Sequence, residues 1–182
     1  MKGIVFTEFI EMVEELFSPD IADEIIMESD LPSDGIYTSV ATYDHHEMLT
    51  LVTKLSEKTG LPVAELVRSY GKHLLGRFVV LYPDFFAKVD GTFSFLDTIE
   101  NHVHVEVRKL YTDVELPTFE TSRDENGNMV MHYSSSRPFA DLAEGLIKGV
   151  IDHFGEEIQL TREDVEGSNG SEAFFTLTMR QV

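Results

Sequence analysis

Apolar residues recur at helical spacing through the first half of the chain and alternate through parts of the second. Ile4, Val5, Phe6, Phe9, Ile10, Val13, Leu16 and Phe17 fall on one helical face, which Ser18-Pro19 stops. A second helix is expected over about 20–27, ending in the turn-rich run Asp30-Leu31-Pro32-Ser33-Asp34-Gly35. Asp44 is placed to cap a helix carrying Met48, Leu49, Val52 and Leu55 and closed by Gly60. Another helix begins near Pro62 and carries Val63, Leu66, Val67 and Tyr70 towards Gly71. After Tyr82-Pro83 and a short Phe85-Phe86 segment, the spacing predicts one long helix from about Thr92 to Tyr111.

Beyond Pro117 the period changes. Residues 118–122 and 129–134 alternate around Asp124-Glu125-Asn126-Gly127, and Asn-Gly is a strong hairpin signal. Pro138 sits where the first turn of a helix tolerates proline, and that helix runs through Leu142, Leu146, Val150 and Phe154 to Gly155. Two more strands, around Ile158 and over 174–179, flank the turn Gly167-Ser168-Asn169-Gly170. The chain has no internal repeat or low-complexity tract. The predicted class is α+β, a helical amino-terminal half followed by a half with an antiparallel sheet and helices.

A chain of 182 residues, 42% of them hydrophobic, buries a good core and fits one domain or two tightly packed halves. Its 33 acidic against 14 basic residues give a formal charge of −19. That charge argues against a nucleic-acid partner or an anionic membrane surface, and leaves either a solvated acidic face or a patch for a basic partner. No run approaches the roughly 20 apolar residues of a membrane span. The start Met1-Lys2-Gly3-Ile4 leads into an amphipathic helix rather than a signal peptide, so a cytoplasmic location is expected. The chain has no cysteine, which excludes disulfides and thiolate metal ligands.

The chemistry concentrates in two places. In Tyr133-Ser134-Ser135-Ser136-Arg137, an extended backbone would point Tyr133, Ser135 and Arg137 the same way, presenting two hydroxyls and a guanidinium. Such a trio grips carboxylates, for which the arginine fork is suited. Upstream, Asn101-His102-Val103-His104-Val105-Glu106-Val107 offers an imidazole for a metal. On a helical wheel the apolar face is Leu96, Ile99, Val103, Val107 and Leu110. His104 lies at its edge with Glu100 and Tyr111, and His102 falls further round beside Glu106 and Lys109. Taken alone, a histidine at that edge is as readily structural, and the trio is as readily a strand end before a helix. Together, a carboxylate clamp and a lone imidazole in a cysteine-free chain suggest haem. His45-His46 with Asp44 and Glu47 lacks the spacing of a closed metal site and reads as an exposed helix start. His132 is expected on the strand face opposite Tyr133. There is no P-loop, dinucleotide glycine motif, Gly-x-Ser-x-Gly or His-Glu-x-x-His, and nothing argues for an enzyme.

These residues make the chain resemble the haem nitric oxide/oxygen binding (H-NOX) domains, which include the sensor domain of animal soluble guanylate cyclase. The resemblance runs from Met1-Lys2-Gly3 through Glu57-Lys58-Thr59-Gly60, Gly71, the segment carrying His104, Pro117 and Tyr-x-Ser-x-Arg to the closing strand near Phe174 to Met179. It implies one haem-binding domain over 1–182, with a helical distal part over 1–60 and a proximal part over 61–182, and haem b held between them. It makes His104 the iron ligand, with its other ring nitrogen donating to a nearby acceptor. Tyr133, Ser135 and Arg137 would hold the propionates, while Pro117 packs on the porphyrin. Val5, Phe9, Leu74, Phe78, Leu142 and Leu146 would shape the pocket. Relatives that hold oxygen carry a tyrosine, a tryptophan and an asparagine where this chain has Leu142, Phe9 and Leu74. A pocket without donors favours nitric oxide and carbon monoxide over dioxygen, which needs a donor for its partial negative charge.

The resemblance also implies a switch: nitric oxide weakens the iron bond to His104, the long helix is freed, and relaxation against Pro117 and Val5 shifts the two halves, with Gly71 as pivot. The chain ends where the family's sensor ends, so its output is expected to reach a separate protein, a histidine kinase or a diguanylate cyclase/phosphodiesterase as for stand-alone bacterial relatives. Two rivals stay open. A haem peroxidase would need a polar distal residue, for which only His73 near Leu74 offers itself. A cofactor-free interaction module would keep the fold around an apolar ligand and tolerate loss of His104.

Overall fold

A computed structural model describes residues 1–180. Four helices open the chain: α1 (Gly3–Leu16), α2 (Pro19–Met27), α3 (His45–Thr59) and α4 (Val63–Leu81). Their ends follow the expected chemistry. The Ser18 hydroxyl accepts from Ile21 N–H with Pro19 in the first turn of α2, Asp44 accepts from His46 N–H at the start of α3, and Gly60 closes α3 at φ 74°. Phe6, Phe9, Met12, Val13, Ile25, Leu51, Val52, Leu55 and Tyr70 form the buried core of this region.

Helix α4 does not stop at Gly71 but continues ten residues further, to Leu81. The glycine serves packing instead. A Cβ on Gly71 would lie 2.6 Å from the Leu142 carbonyl oxygen, and one on Gly145 would lie 2.2 Å from the Arg68 carbonyl oxygen. The backbones of α4 and α7 (Ala140–Phe154) therefore touch at this crossing. Arg68 reinforces it with a 2.9 Å bond to Asp141.

The predicted long helix over 92–111 is interrupted. It consists of a short helix α5 (Thr92–Leu96), a π-helical turn over Ile99–Val103 and α6 (His104–Leu110). In the π turn Val103 N–H donates to Thr98 O at 3.1 Å, and His104 N–H donates to Ile99 O, each five residues back. Averaged helical periodicity cannot distinguish this extra residue from a continuous α-helix.

The carboxyl-terminal part carries β1 (Thr118–Arg123), β2 (Met129–Ser134), β3 (Ile158–Asp164) and β4 (Glu172–Met179) in one antiparallel sheet of order β1-β2-β4-β3. The β1–β2 hairpin turns at Asp124–Asn128, where Gly127 adopts φ 80° and Asp124 accepts from Asn126 and Asn128 N–H. Alternation along β2 buries Met129, Met131 and Tyr133, which pack with Phe175 and Leu177 of β4 and Ile147 and Val150 of α7. Pro138 does not occupy the first turn of α7. The helix starts at Ala140, and Pro138 lies in the bend that precedes it, where Phe139 N–H bonds to Arg137 O. The fold is thus α+β, with seven α-helices and a four-stranded antiparallel sheet among the described residues.

Candidate functional site: an apolar cavity with one histidine

An apolar cavity of about 290 Å³ collects side chains from both cores. Because the glycine contact draws α4 and α7 together, Leu74 and Phe78 of α4 and Leu142 and Leu146 of α7, each pair one helical turn apart, share one wall with Val5 of α1. The facing residues include His104, Val107, Pro117, Phe119, Tyr133, Ser135 and Arg137. Of the expected site residues, all but Phe9 line the cavity. Phe9 is fully buried and meets Tyr70 edge-on, with centroids 5.2 Å apart. His73 is not in the lining either, so it provides no polar distal group.

His104 is 8% exposed, and its Nδ1 lies 2.8 Å from Glu100 Oε1. A carboxylate accepts only, so Nδ1 carries the proton and Nε2 keeps its lone pair. Burial depresses the imidazole pKa below its ordinary value, while Glu100 pulls it back up. The result is a neutral imidazole with a free nitrogen, the form that binds metals. Glu100 Oε1 also accepts the Phe119 backbone N–H at 2.9 Å, satisfying a donor on the outer side of edge strand β1. Glu100 was visible in the sequence only as a neighbour on the wheel, and its spacing of four residues before His104 was the available signal.

The Tyr-x-Ser-x-Arg segment reaches the cavity by a different route from the one its alternation implied. Tyr133 is in β2, but the strand ends at Ser134 and the chain bends. There Ser135 N–H bonds to Ser171 O, and the Ser135 hydroxyl accepts from Arg137 N–H at 3.1 Å. Burial raises the Tyr133 phenol pKa, with hydrogen bonds from Ser135 and the Phe139 backbone acting the other way. Arg137 donates to the Glu115 carbonyl at 3.1 Å and to its carboxylate at 2.6 Å. The guanidinium therefore already holds a carboxylate at the cavity rim, through a residue that the sequence reading did not single out. Two further hydroxyls line the cavity, those of Tyr82 and Tyr111.

The other histidines have separate duties. His132 faces away from Tyr133, stacked on Phe174 and 2.8 Å from Glu172. Asp44, His45 and His46 bring three potential ligand atoms within 4.8 Å of one another, but Asp44 caps α3 and His46 is exposed. Among the described residues no helix is long and apolar enough to cross a membrane.

This donor set fits a flat apolar group that carries a metal at its centre and carboxylates at its edge. One neutral imidazole nitrogen is available, the walls are hydrocarbon, and a guanidinium with two hydroxyls stands at one end. Comparison with known proteins agrees. The family model described as Haem-NO-binding matches residues 2–162. An Fe(II) unliganded H-NOX protein from K. algicida is 37% identical, at a TM-score of 0.92 over 100% of this chain and 98% of that one. An H-NOX from Shewanella woodyi, solved with IWP-051 in the Fe(II)CO state, is 39% identical at a TM-score of 0.84, covering 99% and 95%. One from S. oneidensis in the Fe(II)NO state is 25% identical at a TM-score of 0.90, covering 100% of both. No curated protein matches the chain.

Proposed function

Because the chain belongs to the Haem-NO-binding family, we propose that it is a haem-based gas sensor that binds nitric oxide and carbon monoxide, excludes dioxygen and signals through release of His104. The observation that carries this reading is the pairing of a free His104 Nε2 with an opposite wall of Val5, Leu74, Phe78, Leu142 and Leu146. Haem b, when bound, would supply a ferrous iron able to take a diatomic gas, and His104 is the residue that would hold it.

The chain's own residues divide the work. His104 anchors from one side, held in the ligating tautomer by Glu100. Arg137, Tyr133 and Ser135 would hold the propionates, and the Glu115 carboxylate now bonded to Arg137 shows that its guanidinium can take a carboxylate there. Pro117 lines the cavity with His104 and would pack against the bound group. The wall of Val5, Leu74, Phe78, Leu142 and Leu146 admits a small neutral gas but offers no donor for the negative charge that dioxygen develops. Selectivity follows from what the wall lacks.

Release of His104 would free α6 and the π turn to move relative to α4. The close contact of α4 with α7 at Gly71 and Gly145 would serve as the pivot of that shift. The output passes to a separate cytoplasmic effector, a histidine kinase or a diguanylate cyclase/phosphodiesterase, which must bind the two states differently. The test is titration of haemin into the haem-free protein and into a His104→Gly variant, with peroxide turnover measured on the loaded sample. A one-to-one complex that needs His104 and shows no peroxide turnover is expected. Equal binding by the variant would favour an apolar-ligand module, and turnover would favour a haem enzyme.

A further inference from the structure

We infer that Glu100 is a positioning residue: its carboxylate fixes the tautomer of His104 and strengthens the donation of Nε2 to iron, coupling that bond to the edge of the sheet. The inference rests on the haem reading of the cavity for its second part only. Three observations carry it. Glu100 Oε1 accepts simultaneously from His104 Nδ1 at 2.8 Å and from Phe119 N–H at 2.9 Å, so the carboxylate is pinned at a fixed point between the helix and β1. Glu100 sits within the π-helical turn over Ile99–Val103 and His104 directly follows it, so that turn helps set how Glu100 faces His104. Arg108 Nη2, at 3.9 Å from Glu100 Oε2, is the only cation within 4 Å of this carboxylate among the described residues, and it is half exposed, so it does little to neutralise the charge that the imidazole feels.

An imidazole donating its Nδ1 proton to a full carboxylate gains imidazolate character, which raises its basicity as a ligand. A neutral acceptor at the same place would keep the tautomer and lose that increment. Since Phe119 also lines the cavity and packs 6.1 Å from the His104 ring, any displacement of His104 pulls on the same carboxylate that closes the edge of β1. Glu100 thereby sets both how firmly the ligand is held and which strand registers its loss.

The experiment compares the parent, Glu100→Gln and Glu106→Gln. The glutamine at 100 can still accept from Phe119 N–H and His104 Nδ1–H, so melting temperature checks that the fold is kept. Glu106 pairs with Lys109 on the solvent side, and its variant removes the same charge six residues further along. In the haem-free parent, long-range proton–nitrogen correlation should show His104 as a single Nδ1–H tautomer. In the reduced, haem-loaded proteins, Glu100→Gln should lower the iron–histidine stretching frequency and raise haem loss about 10- to 100-fold, while Glu106→Gln matches the parent. An Nε2–H tautomer, an unmoved Glu100→Gln, or an equal response from Glu106→Gln overturns the inference. A parent that takes up no haem through His104 overturns the functional reading and the tuning role with it. A His104-ligated parent with an unmoved variant overturns the tuning role alone.

Discussion

The wall formed by α1, α4 and α7 offers Val5, Leu74, Phe78, Leu142 and Leu146, with no polar side chain among them, whereas the opposite side offers His104, Tyr133, Ser135 and Arg137, each tied into a hydrogen bond. Both sides are held by packing, yet they carry information differently. On the polar side each group has a named partner whose removal has a local consequence. On the apolar side residues are interchangeable as core, and the functional content lies in the absence of a donor. Under the proposed function, gas selectivity belongs to one wall and attachment to the other.

Removing His104 should break the comparison most severely. His104→Gly, which deletes the free Nε2, should leave purified protein nearly devoid of haem by Soret absorbance per chain, with the fold intact by circular dichroism. Arg137→Ala should come next. It removes a charged hydrogen-bonding partner worth about 1.5–3 kcal/mol, which is roughly 10- to 150-fold in haem affinity by competition with an apo-haem acceptor. Leu142→Tyr moves a donor onto the apolar wall. It should leave haem content unchanged but slow loss of the oxygen adduct, seen as an oxy spectrum that outlasts the parent's in air. Gly145→Ala tests the crossing that assembles that wall. Its Cβ would meet the Arg68 carbonyl, so overpacking of about 1–3 kcal/mol should lower the melting temperature by several degrees in thermal denaturation.

The smallest effect is on pH dependence of the haem-free protein. Burial holds His104 and His45 neutral in the fold, their pKa values lying below the ordinary 6.5. The unfolded chain therefore binds more protons in the window below 6.5. Their contribution to stability is complete above that value and is lost as pH falls toward the depressed pKa values. The melting temperature should fall as pH drops below about 6.5, and His45→Gln should flatten part of that fall.

Much of the fold was legible because local chemistry spoke clearly. Ser18-Pro19, Asp44, Gly60 and Asn126-Gly127 mark ends and turns that the structure keeps. The π turn was not legible, since the helices on either side of it, five and seven residues long, are too short for periodicity to reveal the shift of phase between them. Val5 and Phe9 illustrate the same limit in the site. They lie one turn apart on α1 with equal apolar character, yet only Val5 reaches the cavity, and nothing in their spacing separates cavity from core. Glu100 and Glu115 were obscured by the abundance of carboxylates in so acidic a chain. Their roles depend on Phe119 and Arg137, which only the tertiary fold brings within reach. The Tyr133, Ser135 and Arg137 trio lines the cavity, but it gets there through a bend held by Ser135 rather than by strand alternation.

The central claim is that the apolar wall decides which gas is held. Its most direct test is the absorption spectrum of the reduced, haem-loaded protein, first opened to air and then, in a separate anaerobic sample, mixed with nitric oxide. The account predicts no stable oxy spectrum in air and a shift of the Soret band to the five-coordinate nitrosyl position. A lasting oxy complex in the parent protein would contradict it.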